Sequence, residues 1–141
     1  MEKIKQALIS VSDKQNLKKI LYTLKMYKIK IISSGGTFKE IKRLGYNCIE
    51  VSDFTRFPEI LDGRVKTLHP KIHAGILNKR EKKSHKLQMR DSKFENIDLV
   101  IVNFYPFELT VEKTKNHNQI IENIDVGGPT MVRAAAKNYE N

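Results

Sequence analysis

Ala7-Leu8-Ile9-Ser10-Val11-Ser12-Asp13-Lys14 decides the fold of this chain. Residues 7–11 form a short apolar run with β-branched members, which reads as a buried strand. Leu17, Ile20, Leu21 and Leu24 then follow helical spacing. Ser12 with Gln15 suggests a capping box at the start of that helix. The same alternation returns downstream. Lys30–Ser33 reads as a second strand, Thr37 with Glu40 as a second capping box, and Gly45 as the stop of the helix they open. Residues 47–51 read as a third strand. Strand alternating with helix predicts an α/β fold, a mainly parallel sheet with flanking helices and right-handed crossovers.

Further along, 53–67 reads as loop. Pro70–Leu77 and 82–93 read as helices, and Leu99–Val102, preceded by Asp98, as a buried strand. Phe107–Lys113 and 119–124 read as short helices. Residues 129–137 read as a helix that opens on Pro129 and holds three alanines. No repeat or low-complexity insertion breaks the chain, so one domain is expected. A domain of this class ordinarily continues into another strand, so the apolar side of the last helix (Met131, Val132, Ala135, Ala136) is expected to lack cover.

The composition fits a globular chain: 141 residues, 40% hydrophobic and 30% charged. No apolar run reaches the ~20 residues of a membrane span, and the charged start, Met1 to Lys5, lacks a signal-peptide core. These features and the single cysteine, Cys48, suit a reducing cytoplasm. Cys48 sits in an apolar stretch and reads as a structural thiol rather than a nucleophile. The formal charge is +10, from 26 Lys and Arg against 16 Asp and Glu. That excess invites a nucleic-acid reading. However, the lysine-rich 79–93 segment lacks interleaved aromatics for stacking on bases, so it reads as a solvated helix face.

Five segments carry candidate chemistry. Asp62-Gly63-Arg64-Val65-Lys66-Thr67-Leu68-His69-Pro70 sets a guanidinium, an ammonium and a hydroxyl just after a glycine. Arg64 can grip two phosphate oxygens as a planar fork, and Lys66 supplies a compact, movable charge. The plainer reading is a solvated basic turn. Ser33-Ser34-Gly35-Gly36-Thr37 lies between strand and helix, where glycines admit an anion and a helix N-terminus offers free N–H groups. Ser34 and Thr37 add hydroxyls; the plainer reading is a capped turn. Ser10, Ser12 and Lys14 fall at the carboxyl end of the first strand, where ligand crevices of open α/β sheets form. Asn103-Phe104-Tyr105-Pro106 follows the Leu99–Val102 strand. Asn103 suits a base or amide edge there, and Tyr105 a developing oxyanion.

Asp125-Val126-Gly127-Gly128 joins a carboxylate to a glycine turn and a helix start. A helix of this length separates its ends by ~12 Å, so Asp125 and Lys137 serve one site only if the chain bends or a second subunit contributes. The plainer reading of Lys137 is a cation at a helix C-terminus. His69 and His73 stand four apart, a zinc spacing, but no third ligand cluster follows, so no metal is expected.

Together these segments resemble the inosine monophosphate cyclohydrolase domain of the bifunctional purine biosynthesis enzymes. The resemblance runs through 7–14, 33–37, 50–53, Phe57-Pro58-Glu59, 62–70, 102–107, 122–132 and Arg133-Ala134-Ala135-Ala136-Lys137-Asn138. Ser34 stands where that family usually has Thr, which keeps the hydroxyl. The resemblance implies a methylglyoxal-synthase-like fold, a homodimer, a cytoplasmic location and a purine ribonucleotide substrate. It implies ring closure of 5-formamidoimidazole-4-carboxamide ribonucleotide to inosine monophosphate with loss of water. It gives Lys66, Tyr105, Asp125 and Lys137 to catalysis. It gives Ser10, Ser12, Lys14, Ser34, Gly36, Thr37, Arg64 and Thr67 to phosphate and ribose, and Asn103 and Gly127 to the base. No cofactor is implied for this step; 10-formyltetrahydrofolate belongs to the transformylase half of such proteins. Residues 1–141 correspond to the N-terminal portion of the cyclohydrolase domain, and the closing strands and transformylase domain are expected to lie outside this chain. A non-catalytic nucleotide-sensing regulatory domain of the same fold is the alternative.

Overall fold

The computed structural model describes residues 3–141. Four strands, β1 (Gln6–Ser10), β2 (Lys30–Ser33), β3 (Ile49–Glu50) and β4 (Leu99–Val102), form one sheet in the order β3-β2-β1-β4. Every pairing is parallel; Ala7 lies opposite Ile31 on one side and Leu99 on the other. α1 (Leu17–Met26) links β1 to β2, and α2 (Gly35–Arg43) links β2 to β3. The chain then passes through α3 (Val51–Thr55), α4 (Pro70–Leu77) and α5 (Lys83–Asp91) and enters β4 on the far side of β1. α6 (Phe107–Lys113), α7 (His117–Glu122) and α8 (Gly127–Lys137) complete it. The expected α/β architecture is the one found.

The period of two along each strand divides the core. Ala7, Ile9 and Ile31 face Leu17, Leu21, Leu24 and Ile41 of α1 and α2. Leu8 and Ile32 point the other way, into Val51, Phe54, Ile72, Ile76 and Met131. Each fully buried Leu or Ile contributes roughly 1.5–3 kcal/mol by leaving water.

Winding reverses at β1, because β2 lies on one side of it and β4 on the other. The loops after β1 and β4 therefore diverge, and a crevice opens at the carboxyl ends of the strands. The amino ends are closed instead. Asp98 Oδ2 accepts the backbone N–H groups of Lys5 (2.6 Å) and Gln6 (2.9 Å). Its other oxygen meets the Arg80 guanidinium at 2.8 Å, with both side chains buried.

Several local expectations are corrected. The third strand is only Ile49–Glu50, not 47–51. The Glu50 carboxylate accepts from the Ser52 N–H and hydroxyl, which caps a helix that starts at Val51, in the expected strand, and runs into the segment expected to be loop. Neither expected capping box forms. Asp13 Oδ1 accepts from Gln15 N at 2.9 Å, so the chain makes an Asx turn and α1 begins only at Leu17. Thr37 is buried within α2, and Glu40 pairs with Arg43.

The last helix starts two residues earlier than Pro129, at Gly127. Its apolar side is covered in part: Met131 is buried against α4 and β4 and Ala135 is half-buried, while Val132 and Ala136 stay exposed. Cys48 is half-buried beside β3, and burial pushes its thiol up to about 12, which favours the protonated form. No helix among the described residues is long and apolar enough to cross a membrane.

Candidate functional site

The crevice at the carboxyl ends is a cleft of about 530 Å³. The loop after β1, the start of α2, the 62–67 loop, the loop after β4 and the start of α8 wall it. Its chemistry begins at α2. Ser34 occupies the N-cap position in extended backbone, yet its hydroxyl makes no capping bond. The first N–H groups of α2, at Gly35, Gly36 and Thr37, precede the first intrahelical bond and carry the positive end of the helix dipole. No acidic side chain sits in that first turn.

Two ammonium groups stand over this helix end. A methyl placed on Gly36 would lie 3.9 Å from Lys14 Nζ, and one on Gly35 would lie 3.0 Å from Lys66 Nζ. Lys14 is steadied by the Val11 and Ser12 carbonyls, at 3.2 and 3.0 Å. Free N–H groups beside two cations make an anion site suited to a phosphate.

Thr37 reaches inward. Its hydroxyl donates to the Val11 carbonyl (2.9 Å) and accepts from the Val11 N–H (3.1 Å), locking the β1 loop to α2. Asn103 does the same from β4. Its Oδ1 accepts from Ser12 N (2.5 Å) and Asp13 N (3.1 Å), and its Nδ2 donates to the Asp13 carbonyl (2.8 Å). The amide expected to read a base edge is thus engaged in holding the Ser12–Asp13 turn, with one N–H left over. Sequence cannot show this, because the bond joins residues 91 apart.

The opposite wall is strained. Leu61, Asp62 and Gly63 follow one another in the left-handed region, at φ 51°, 52° and 82°. For Leu61 and Asp62 such backbone costs energy that the surroundings must hold in place. The loop places Arg64 against the Glu122 carboxylate of α7 and Lys66 against Glu59 at 3.3 Å. Thr67 is buried, and a methyl on Gly127 would come within 2.5 Å of its hydroxyl. Asp125 Oδ1 accepts from Gly128 N (2.8 Å), which anchors the start of α8, and Oδ2 takes the Tyr105 N–H at 3.4 Å. The Tyr105 side chain is half exposed at the rim.

Of the expected site residues, Ser10, Ser12, Lys14, Ser34, Gly36, Thr37, Arg64, Lys66, Thr67, Asn103, Tyr105, Asp125 and Gly127 all line this one cleft. Lys137 does not. It lies at the far end of α8, in a separate groove with His69, His73, Thr130 and Arg133. His69 Nδ1 accepts from Lys71 N at 3.0 Å and caps α4. Among the described residues no group of three or more His, Cys, Asp or Glu gathers as a metal site would need. Glu59 and Glu122 were not among the expected site residues. Glu59 stands seven before Lys66 in a segment without helical spacing, so only its place in the Phe57-Pro58-Glu59 motif pointed to it.

Known proteins are similar to this chain. The bifunctional purine biosynthesis protein PurH of Clostridioides difficile (strain 630) is 54% identical over 137 residues, covering 97% of this chain and 27% of that protein. The PurH protein of Acetivibrio thermocellus is 52% identical over 139 residues, covering 98% of this chain and again 27% of the relative. The chain thus spans about a quarter of the length of the curated relatives it matches. A solved structure described as the crystal structure of ForH superposes with a TM-score of 0.83 at 34% identity, over 97% of this chain and 70% of that one. The sequence profile of the MGS-like domain matches residues 16–130, which hold α1 through the start of α8 and so all four strands but the first. With the fold, the profile and these relatives in agreement, the chain belongs to the MGS-like domain family.

Proposed function

We propose that the cleft closes the second ring of a purine nucleotide, converting 5-formamidoimidazole-4-carboxamide ribonucleotide to inosine monophosphate in purine biosynthesis. The observation that carries this reading is the open N-terminus of α2 with Lys14 and Lys66 over it, adjoining Asp125 and Tyr105 in one cleft. The phosphate would dock on α2, between the two ammonium groups and the Ser34 hydroxyl. Ribose and base would extend toward Thr67, Gly127 and the Asn103 N–H that remains unused.

The reaction is a positioned condensation. The carboxamide nitrogen attacks the formyl carbon and gives up one proton, and the formyl oxygen leaves as water when the formamide nitrogen gives up another. An amide nitrogen is a weak nucleophile, so alignment inside the cleft supplies much of the rate. Asp125 is placed to manage a proton at the carboxamide, and Lys66 to stabilise the oxygen as it gains charge. Both reacting groups belong to one substrate, so no cofactor or metal is required by this chemistry. Cytoplasmic location and a homodimer complete the proposal, the second protomer being one way for a Lys137 to reach a cleft it does not line in its own chain.

A nucleotide-sensing domain of the same fold is the second reading, and the remoteness of Lys137 favours it. The two readings separate in a cyclisation assay followed by absorbance, with nucleotide binding by calorimetry alongside. Ring closure by the wild type, falling about a hundredfold or more in Lys66→Ala while the thermal melt is retained, is the expected outcome. Tight binding of inosine monophosphate without turnover would make the protein a sensor. Equal affinity for inosine and its monophosphate would remove the phosphate assignment.

A further inference from the structure

We infer that Glu59 is a positioning residue that holds the Lys66 ammonium over the start of α2. The inference rests on the reading above for its consequences in turnover, but its geometry stands apart from that reading. Lys66 follows a tight turn, its N–H reaching back to the Gly63 carbonyl at 3.4 Å. Its side chain folds over Gly63, where an added methyl would meet Nζ at 2.8 Å, Cε at 2.9 Å and the Glu59 carboxyl carbon at 3.2 Å. The same ammonium would meet a methyl on Gly35 at 3.0 Å. One cation therefore spans from the strained 61–63 loop to the first turn of α2.

A lysine has four flexible carbons and no intrinsic reason to stay in such a path. Glu59 Oε2, 3.3 Å away, is the ammonium's partner among the described residues. The Lys66 side chain is about one quarter exposed and Glu59 about one half, so the carboxylate approaches from solvent and the ammonium is pressed toward the cleft. Glu59 itself does not line the cleft. It would act on a ligand only through Lys66.

The test combines lysine Cε NMR with binding. Protein labelled at lysine Cε is compared as wild type, Glu59→Gln and Glu59→Asp, with Lys66→Ala assigning the signal. The Lys66 resonance is expected to stand apart from the free-lysine envelope in the wild type, to join it in Glu59→Gln and to be partly restored in Glu59→Asp. In parallel, Glu59→Gln should weaken inosine monophosphate binding or slow turnover by about fivefold, the most a half-exposed ion pair sustains. In a Lys66→Ala background the same change should have less than about a twofold effect, since the two residues act as one unit. A Lys66 signal indifferent to Glu59, or an equal effect of Glu59→Gln in both backgrounds, overturns the inference. Should the signal respond while no nucleotide binds, Glu59 keeps its role and the proposed function fails instead.

Discussion

At the scale of single residues, hydrogen-bonding groups in this protein often look outward in sequence and inward in structure. His69 shows it with a measurable consequence. Its Nδ1 accepts from Lys71 N, which requires a neutral ring. Burial, and after it the nearby Lys71 ammonium, holds the imidazole below its ordinary range. A base whose pKa is lowered by folding stabilises the fold at high pH. Its contribution should be intact above the unfolded value of ~6.5 and lost as pH falls below it. His69→Asn keeps an acceptor at the cap and removes the titration. Melts of the two proteins at pH 7.5 and 5 are expected to show the wild type losing more stability than the variant. Parallel curves would show that the cap does not titrate. Such roles are poorly legible in sequence, since the side chains of His69, Thr37 and Asn103 all serve the backbone.

Among the helices, α6 and α7 bury no residue. In α7 Ile121 is exposed, as is Ile124 just beyond it. Glu122 ties α7 to the cleft through Arg64. Both partners are more than half exposed, so the pair is weak, yet it occupies the guanidinium expected to grip a phosphate. A bound phosphate and Glu122 thus compete for one cation. Glu122→Gln should tighten inosine monophosphate binding, by up to about fivefold at low salt and less at high salt. Calorimetry at two ionic strengths reads this directly; weaker binding in the variant would show that Glu122 orients Arg64 rather than detaining it. Helices and strands with strong apolar periodicity, such as β1 and α1, were legible from spacing alone. The switch from β3 to α3 was not, because it depends on Glu50 choosing to cap rather than to continue a strand.

Across the whole molecule, the sheet divides labour between its two ends. The carboxyl ends carry the cleft, and the amino ends carry the clamp made by Arg80, Asp98, Lys5 and Gln6. Asp98→Ala removes the carboxylate that faces the buried Arg80 guanidinium and accepts the Lys5 and Gln6 N–H groups. It should cost about 3–5 kcal/mol in urea melts. A loss below about 1 kcal/mol would show that water reaches the clamp readily. The parallel order was readable from the alternation of strand and helix, but the clamp was not, because Lys5 and Asp98 stand 93 residues apart. That separation also has a meaning in time. As the chain is synthesised, β1, α1, β2, α2 and β3 emerge together and can associate early, while the other flank of β1 stays bare until β4 arrives. Pairings of this sequence distance form slowly. Asn103 then fixes the Ser12–Asp13 turn only after that closure, so the wall of the cleft that follows β1 is set late, after the start of α2 is already in place.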